Sequence, residues 1–259
     1  MLGLLIGACA VFGLAAGSFV HLVIIRVPRR QSVLSAPWPC PRCDAPDSAQ
    51  YAVPVLSWLL VRGGCRWCGE SIPRRPPLVE LAAAGLAAGT AARFGYDWAL
   101  PAYLVLGPGL LALSCIDASY LLLPKKVVYP LTFLVAGLFV LAAAVTGNWH
   151  DLWVAGLCGL AWFVVFLAMN LASPRVLGFG DVRLAPVLGL SLGWLGVSYV
   201  FLGFIAANLL AAVVGLALIM AKRIGRKQQI PFGVFLALGV GIAVFAGPEL
   251  LRHFPGVQS

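Results

Sequence analysis

"DWALPAYLVLGPGLLALSCIDASYLLLPKK", residues 97–126, decides how the rest of the chain is read. Residues 98–116 form an unbroken apolar run, and at about 1.5 Å per helical residue such a run crosses roughly 30 Å of hydrocarbon. It reads as a transmembrane helix. At its inner end stands Asp117, and an ionised Asp in hydrocarbon costs roughly 2.5–3.5 kcal/mol on insertion scales. The acid therefore needs a reason to be there, and a possible partner follows 64 residues later at Asp181, in "GFGD" (178–181).

Working outward, the same kind of run recurs along the 259 residues, 61% of which are hydrophobic and 10% charged. A soluble domain carries about a quarter charged residues. The expectation is an all-α polytopic membrane protein with about eight spans, near 2–26, 78–95, 98–116, 127–146, 152–173, 184–197, 198–221 and 231–251. The division within 184–221 is the least sharply marked of these. The first run has no basic residue before Arg26, which reads as a retained helix rather than a cleaved signal.

The net charge of +9 raises the idea of nucleic acid, but the basic residues sit in loops, where they set orientation. With both termini outside, 16 of the 18 Lys and Arg residues lie in inward loops, and only Arg93 and Arg252 lie outward. That arrangement puts the loop 28–77, Asp117 and Asp181 on the cytoplasmic side, with lipid as the surrounding partner and no nucleic acid. Three regions follow: a first helix over 1–27, a cytoplasmic loop over 28–77, and a bundle over 78–259. Pro and Gly interrupt the bundle often, and the small residues of "LAAAGLAAGTAA" (81–92) suit close helix contact.

The loop lacks the apolar length for its own core and needs a staple. It carries "CPRC" (40–43) and "CRWC" (65–68), two pairs separated by 21 residues. Four thiolates from two tight turns suit one tetrahedral Zn²⁺, with Cys40, Cys43, Cys65 and Cys68 as ligands. Disulfides or a redox dithiol are the alternatives, and a reducing cytoplasm disfavours stable disulfides. Cys9, Cys115 and Cys158 lie within spans and read as small apolar fillers.

Of the nine acidic residues, most fall in the loop or at outer edges. Glu80 stands at the start of the second span, where it can oppose the helix N-terminal dipole. Asp117 and Asp181 remain. Gly178 and Gly180 are expected to give the segment before Asp181 a backbone shape closed to other residues, lining a wet cavity. Two carboxylates brought together in such a pocket share one proton, one activating water and the other protonating the substrate. Taken singly, each acid is equally a helix-end cap or an ion-pair partner of Lys125, Lys126 or Arg183.

Together these motifs resemble the type IV prepilin peptidases, or leader peptidase/N-methyltransferases, which are GxGD-type aspartic peptidases of the inner membrane. The likeness runs in order through "GSFVHLVIIRVP" (17–28), "CPRC", "VPVLSWLLVRGGCRWCGESI" (53–72), "PLVEL" (77–81), "IDASYLLLP" (116–124), "GFGDVRLAPVLG" (178–189) and "IPFGVFLALG" (230–239). It implies removal of the short basic leader from prepilins or pseudopilins. In many members it also implies methylation of the new N-terminus with S-adenosylmethionine. Asp117 and Asp181 match the catalytic aspartates, with Gly178 and Gly180 as the supporting segment. Where members often carry further acids, this chain has Ser119 and Lys125, and His21 and "AVP" (52–54) stand where Asn and Asn-Ile-Pro are common. Glu80 is the one candidate offered for the methyl-donor half. A zinc-stapled scaffold that binds pilins without cutting them, and a proton-coupled transporter, are the rival readings.

Overall fold

The computed structural model describes residues 1–32, 68, 75–173, 178–222 and 230–252. Among them every regular element is a helix: α1 (Leu2–Arg26), α2 (Arg75–Phe94), α3 (Leu100–Tyr120), α4 (Lys125–Thr146), α5 (Trp149–Ala172), α6 (Phe179–Leu195), α7 (Val197–Met220) and α8 (Phe232–Arg252). Six of these are long and apolar enough to cross a membrane. The other two are α2, which carries Arg75, Glu80 and Arg93, and α6, whose 17 residues extend about 25 Å. The polytopic helical architecture read from the sequence is thus the one found. The uncertain division falls at Gly196, whose φ of 124° turns the chain between α6 and α7 in one residue. Cys40, Cys43 and Cys65 of the expected zinc loop lie outside the described residues, and Cys68 is exposed.

The chain forms two compact units, one of Met1–Tyr96 with Gly107–Ala112 and one of Asp97–Leu106 with Leu113–Ser259. In the first, α1 and α2 lie antiparallel. Gly13 and Gly17, four residues apart on α1, meet Ala83, Ala84, Ala87 and the backbone of Glu80 on α2. Ala83, Ala87 and Ala91 continue the stripe at the same spacing and are fully buried. In lipid there is no hydrophobic force between helices, so close backbone approach through small residues supplies the association.

The second unit is built around α6. Val182, Leu184, Ala185, Val187, Leu188 and Leu192 are almost completely covered, because α6 packs against α4, α5, α7 and α8. On the α5 side, Gly189 and Gly193 press against Ala155, Cys158 and Gly159. Phe139 of α4 stacks on Trp194 at 4.8 Å and meets Tyr103 edge-on at 5.6 Å. The Tyr103 hydroxyl donates to the Ser191 carbonyl at 2.6 Å, so the polar end of a buried aromatic is satisfied. Antiparallel α7 and α8 meet at Gly203 and Gly239, where a methyl group added to Gly239 would stand 2.5 Å from the Gly203 carbonyl oxygen. The opposite face of α7 presents Phe201, Ile205, Leu209, Val213 and Leu216, an exposed apolar stripe that fits lipid as its solvent.

Candidate active site

Asp117 comes from the last turn of α3. That helix stops at Leu121, which adopts a left-handed conformation with φ 50° and donates its N–H to the Asp117 carbonyl at 2.8 Å. The chain then runs through Leu122 and Leu123 to Pro124, which begins α4 with φ preset and no N–H to satisfy. A carboxylate near a helix C-terminus faces the negative end of that helix's dipole, an unfavourable placement. The compensation comes from α8, whose first-turn N–H groups at Gly233 and Val234 face the Asp117 carboxylate.

Asp181 stands in the first turn of α6, the favourable end of its helix, with the backbone N–H of Gly178 turned toward its carboxylate. Both acids are buried, Asp117 at 6% and Asp181 at 7% exposure. They share one electrostatic environment, in which the charge of Asp117 acts on Asp181. Among the described residues neither is held in a salt bridge, and the Oδ2 of Asp117 is fully covered without a hydrogen-bond partner. Arg183, a suggested ion-pair partner, instead lies over the Phe179 ring at 4.7 Å.

The two glycines of "GFGD" act differently from what the sequence suggests. Gly178 caps α6 in ordinary extended geometry, and Gly180 lies inside the first helical turn; neither has a positive φ. What Gly180 provides is room: a Cβ there would stand 2.8 Å from the Leu123 Cβ. Gly233 provides room on the far side, where a Cβ would stand 2.9 Å from Asp117 Oδ2 and 3.2 Å from Leu123 Cδ1. Leu123, 6% exposed, is therefore a wedge between the first turns of α6 and α8. Leu123 and Gly233 escaped sequence reasoning as site residues. The signal available for Gly233 was a glycine just after Pro231 at a helix start, a position where glycine weakens the helix and so asks for a packing reason.

Glu80 also differs from expectation. Since α2 begins at Arg75, no acid lies in its first turn, and the dipole reading fails. Its carboxyl, 7% exposed, instead accepts a hydrogen bond from the Ser18 hydroxyl of α1 at 2.6 Å. Among the described residues no group of three or more His, Cys, Asp or Glu gathers as a metal site. The four-cysteine set falls outside that description except for Cys68.

Apolar helices that carry two buried aspartates on different helices define a polytopic membrane protein with acids in its interior. Two family descriptions match it: the bacterial Peptidase A24 N-terminal domain over residues 11–94 and the type IV leader peptidase family over residues 104–220. The chain is 33% identical over 272 aligned residues to a prepilin leader peptidase/N-methyltransferase of Stutzerimonas stutzeri, covering 95% of this chain and 92% of that one. It is 32% identical to the Pseudomonas aeruginosa protein of that name, covering 93% and 90%. It is 31% identical to the one from Bacillus subtilis, covering 94% and 95%. No solved structure matches. The chain belongs to the type IV leader peptidase family.

Proposed function

We propose that this chain is a prepilin leader peptidase and N-methyltransferase, with Asp117 and Asp181 as its catalytic acids. The observation that carries the reading is that two buried carboxyls, from α3 and α6, share one electrostatic environment, with no salt bridge to either among the described residues. Two such groups cannot both ionise cheaply, so the pair holds one proton.

The ionised member takes a proton from water as the water oxygen attacks the scissile carbonyl carbon. The protonated member gives its proton to the carbonyl oxygen. Collapse of the tetrahedral species then breaks the C–N bond, with a proton delivered to the leaving amine, and the pair returns to its one-proton state. The Asp117 oxygen that has no partner among the described residues is where such a proton or reactant is accommodated, since a buried unsatisfied carboxylate oxygen costs about 1–3 kcal/mol. The N–H groups of Gly233 and Val234 orient this carboxylate.

The substrates are type IV prepilins or pseudopilins. In the orientation that the Lys and Arg distribution favours, both termini lie outside, and the loop 28–77 and the two aspartates face the cytoplasm, where the basic leader remains. Cys40, Cys43, Cys65 and Cys68 would hold one structural Zn²⁺. Four thiolates fill its coordination, so the ion would staple the loop and take no part in hydrolysis. S-adenosylmethionine would supply the methyl group.

The experiment is cleavage of a synthetic prepilin by the detergent-purified chain, read by mass spectrometry, with Asp117→Asn and Asp181→Asn alongside. Loss of product in both variants, with both still inserted and folded, is the expected result. Normal processing by either would overturn the assignment, and substrate binding without any cleavage by the wild type would establish the scaffold reading. Metal analysis of the same preparation is expected to give one zinc per chain, lost in Cys40→Ser; a metal-free wild type would remove the zinc.

A further inference from the structure

We propose that Leu121 and Leu122, with Phe179, form the specificity surface of the peptidase and receive an apolar side chain from the first residue of the mature pilin, immediately after the scissile bond. The proposal rests on the peptidase reading above. All three residues lie in the same unit as the two aspartates.

Four observations carry it. The first is position. The turn 121–124 is tied to both acids: the Leu121 N–H donates to the Asp117 carbonyl, and Leu123 packs against Gly180, which precedes Asp181, and against Gly233, which lies beside Asp117 Oδ2. The second is exposure. Of three consecutive leucines, Leu123 is buried, whereas Leu121 and Leu122 are half-exposed, as are Tyr120 before them and Phe179 next to Gly180. Exposed apolar side chains on the spans face lipid, but these two leucines lie between helices, directly before the exposed Lys125 and Lys126. Contiguous apolar surface rimmed by charge marks an interaction site.

The third observation is the backbone. Among the described residues Arg30, Leu121 and Lys222 are the non-glycine residues with positive φ, and of these Leu121 alone is apolar. It closes α3 with φ 50° at a position where glycine is the usual choice. Glycine would adopt that conformation without steric cost, so the leucine side chain is retained against a penalty, and such strain gathers at ligand-binding sites. The fourth is charge, which decides the part of the substrate that meets the leucines. A basic leader is repelled by Lys125 and Lys126, because like charges brought together oppose binding. The leader therefore runs away from this surface, and the mature side of the scissile bond lies on it. At about 3.3 Å per extended residue, the first mature side chain stands next to the bond that the aspartates cleave.

Leu121→Gly tests this, because glycine keeps the left-handed turn and its N–H while removing the side chain. Two synthetic prepilins, identical except for Leu or Ser as the first mature residue, are compared by kcat/KM, read by mass spectrometry. The wild type is expected to prefer the Leu substrate at least about tenfold, and Leu121→Gly to bring that ratio below about threefold, on the scale that apolar contacts give to selectivity. Its Tm should equal or exceed that of the wild type. Leu122→Ser and Phe179→Ser are expected to lower the ratio in the same direction. Absence of a preference in the wild type, or an unchanged ratio in Leu121→Gly, would overturn the proposal. So would a parallel loss of both substrates with a lowered Tm, which marks a purely structural turn. A second measurement needs no hydrolysis: binding of the same two prepilins to Asp117→Asn, with and without Leu121→Gly. A preference for the Leu peptide that vanishes with Leu121→Gly supports the surface, and equal binding of the two peptides overturns it. A wild type that cleaves neither substrate would sink the peptidase reading, and the binding comparison then decides the surface by itself.

Discussion

In the α1–α2 pair a single buried carboxyl, Glu80, is met at 2.6 Å by a hydroxyl from the neighbouring helix. In the second unit two carboxyls, Asp117 and Asp181, are gathered where α3, α6 and α8 converge, and no side chain among the described residues hydrogen-bonds either one. The first arrangement is compatible with a quiet role, since a hydrogen bond between membrane helices contributes about 0.6 kcal/mol on average. The second arrangement has no such reading. Like charges at close quarters oppose folding, and the fold retains them by aiming helix N-termini at both. The difference separates an acid with a side-chain partner from two acids whose hydrogen-bond partners among the described residues are backbone amides.

The sharpest way to break this comparison is neutralisation. Asp117→Asn and Asp181→Asn are each expected to reduce cleavage by about 10²–10⁴-fold, measured as initial rate by mass spectrometry, while Glu80→Gln leaves cleavage little changed. Equal loss in all three would mean that both units merely support one structure. A smaller effect is expected from Gly233→Ala. The added methyl stands 2.9 Å from Asp117 Oδ2 and displaces the carboxylate, and misplacement by about 1 Å costs up to roughly 10²-fold. The loss should appear in kcat with KM little changed. An unaltered kcat would show that the α8 N-terminus does not position Asp117.

Smaller still are the effects on stability alone. Gly239→Ala, facing the Gly203 backbone at 2.5 Å, is expected to destabilise by about 1–3 kcal/mol and to lower the Tm of the purified protein. Gly241→Ala, on the same helix with nothing within 4 Å, should stay within about 0.5 kcal/mol. If the two behave alike, glycine in α8 acts through helix propensity, and the close contact with α7 is unimportant.

Much of the helical layout could be read directly. The apolar runs near 2–26, 127–146 and 231–251 coincide with α1, α4 and α8 to within two residues, because a span is set by length and hydropathy. The run starting at 184 began five residues late, since "GFGD" looked like irregular backbone and Phe179–Asp181 is in fact helical. Read locally, Gly180 suggests conformational freedom; its use in the fold is the space it leaves for Leu123. That distinction is invisible locally, because the same residue type serves a turn and a close approach, and only the neighbour reveals which. The dipole reading of Glu80 fails for a related reason, since the start of α2 at Arg75 fixes whether an acid lies in the first turn.

By itself the sequence determined that the chain is a bundle of apolar helices and that Asp117 and Asp181 are the acids out of place in it, because hydrocarbon penalises charge wherever it occurs. The tertiary structure decided that these two acids share one electrostatic environment, that Leu123 and Gly233 pack beside them, and that Ser18 reaches Glu80. Such contacts join residues tens of positions apart. They depend on which small residues let two helix backbones approach, a property of the packed pair that neither helix carries alone.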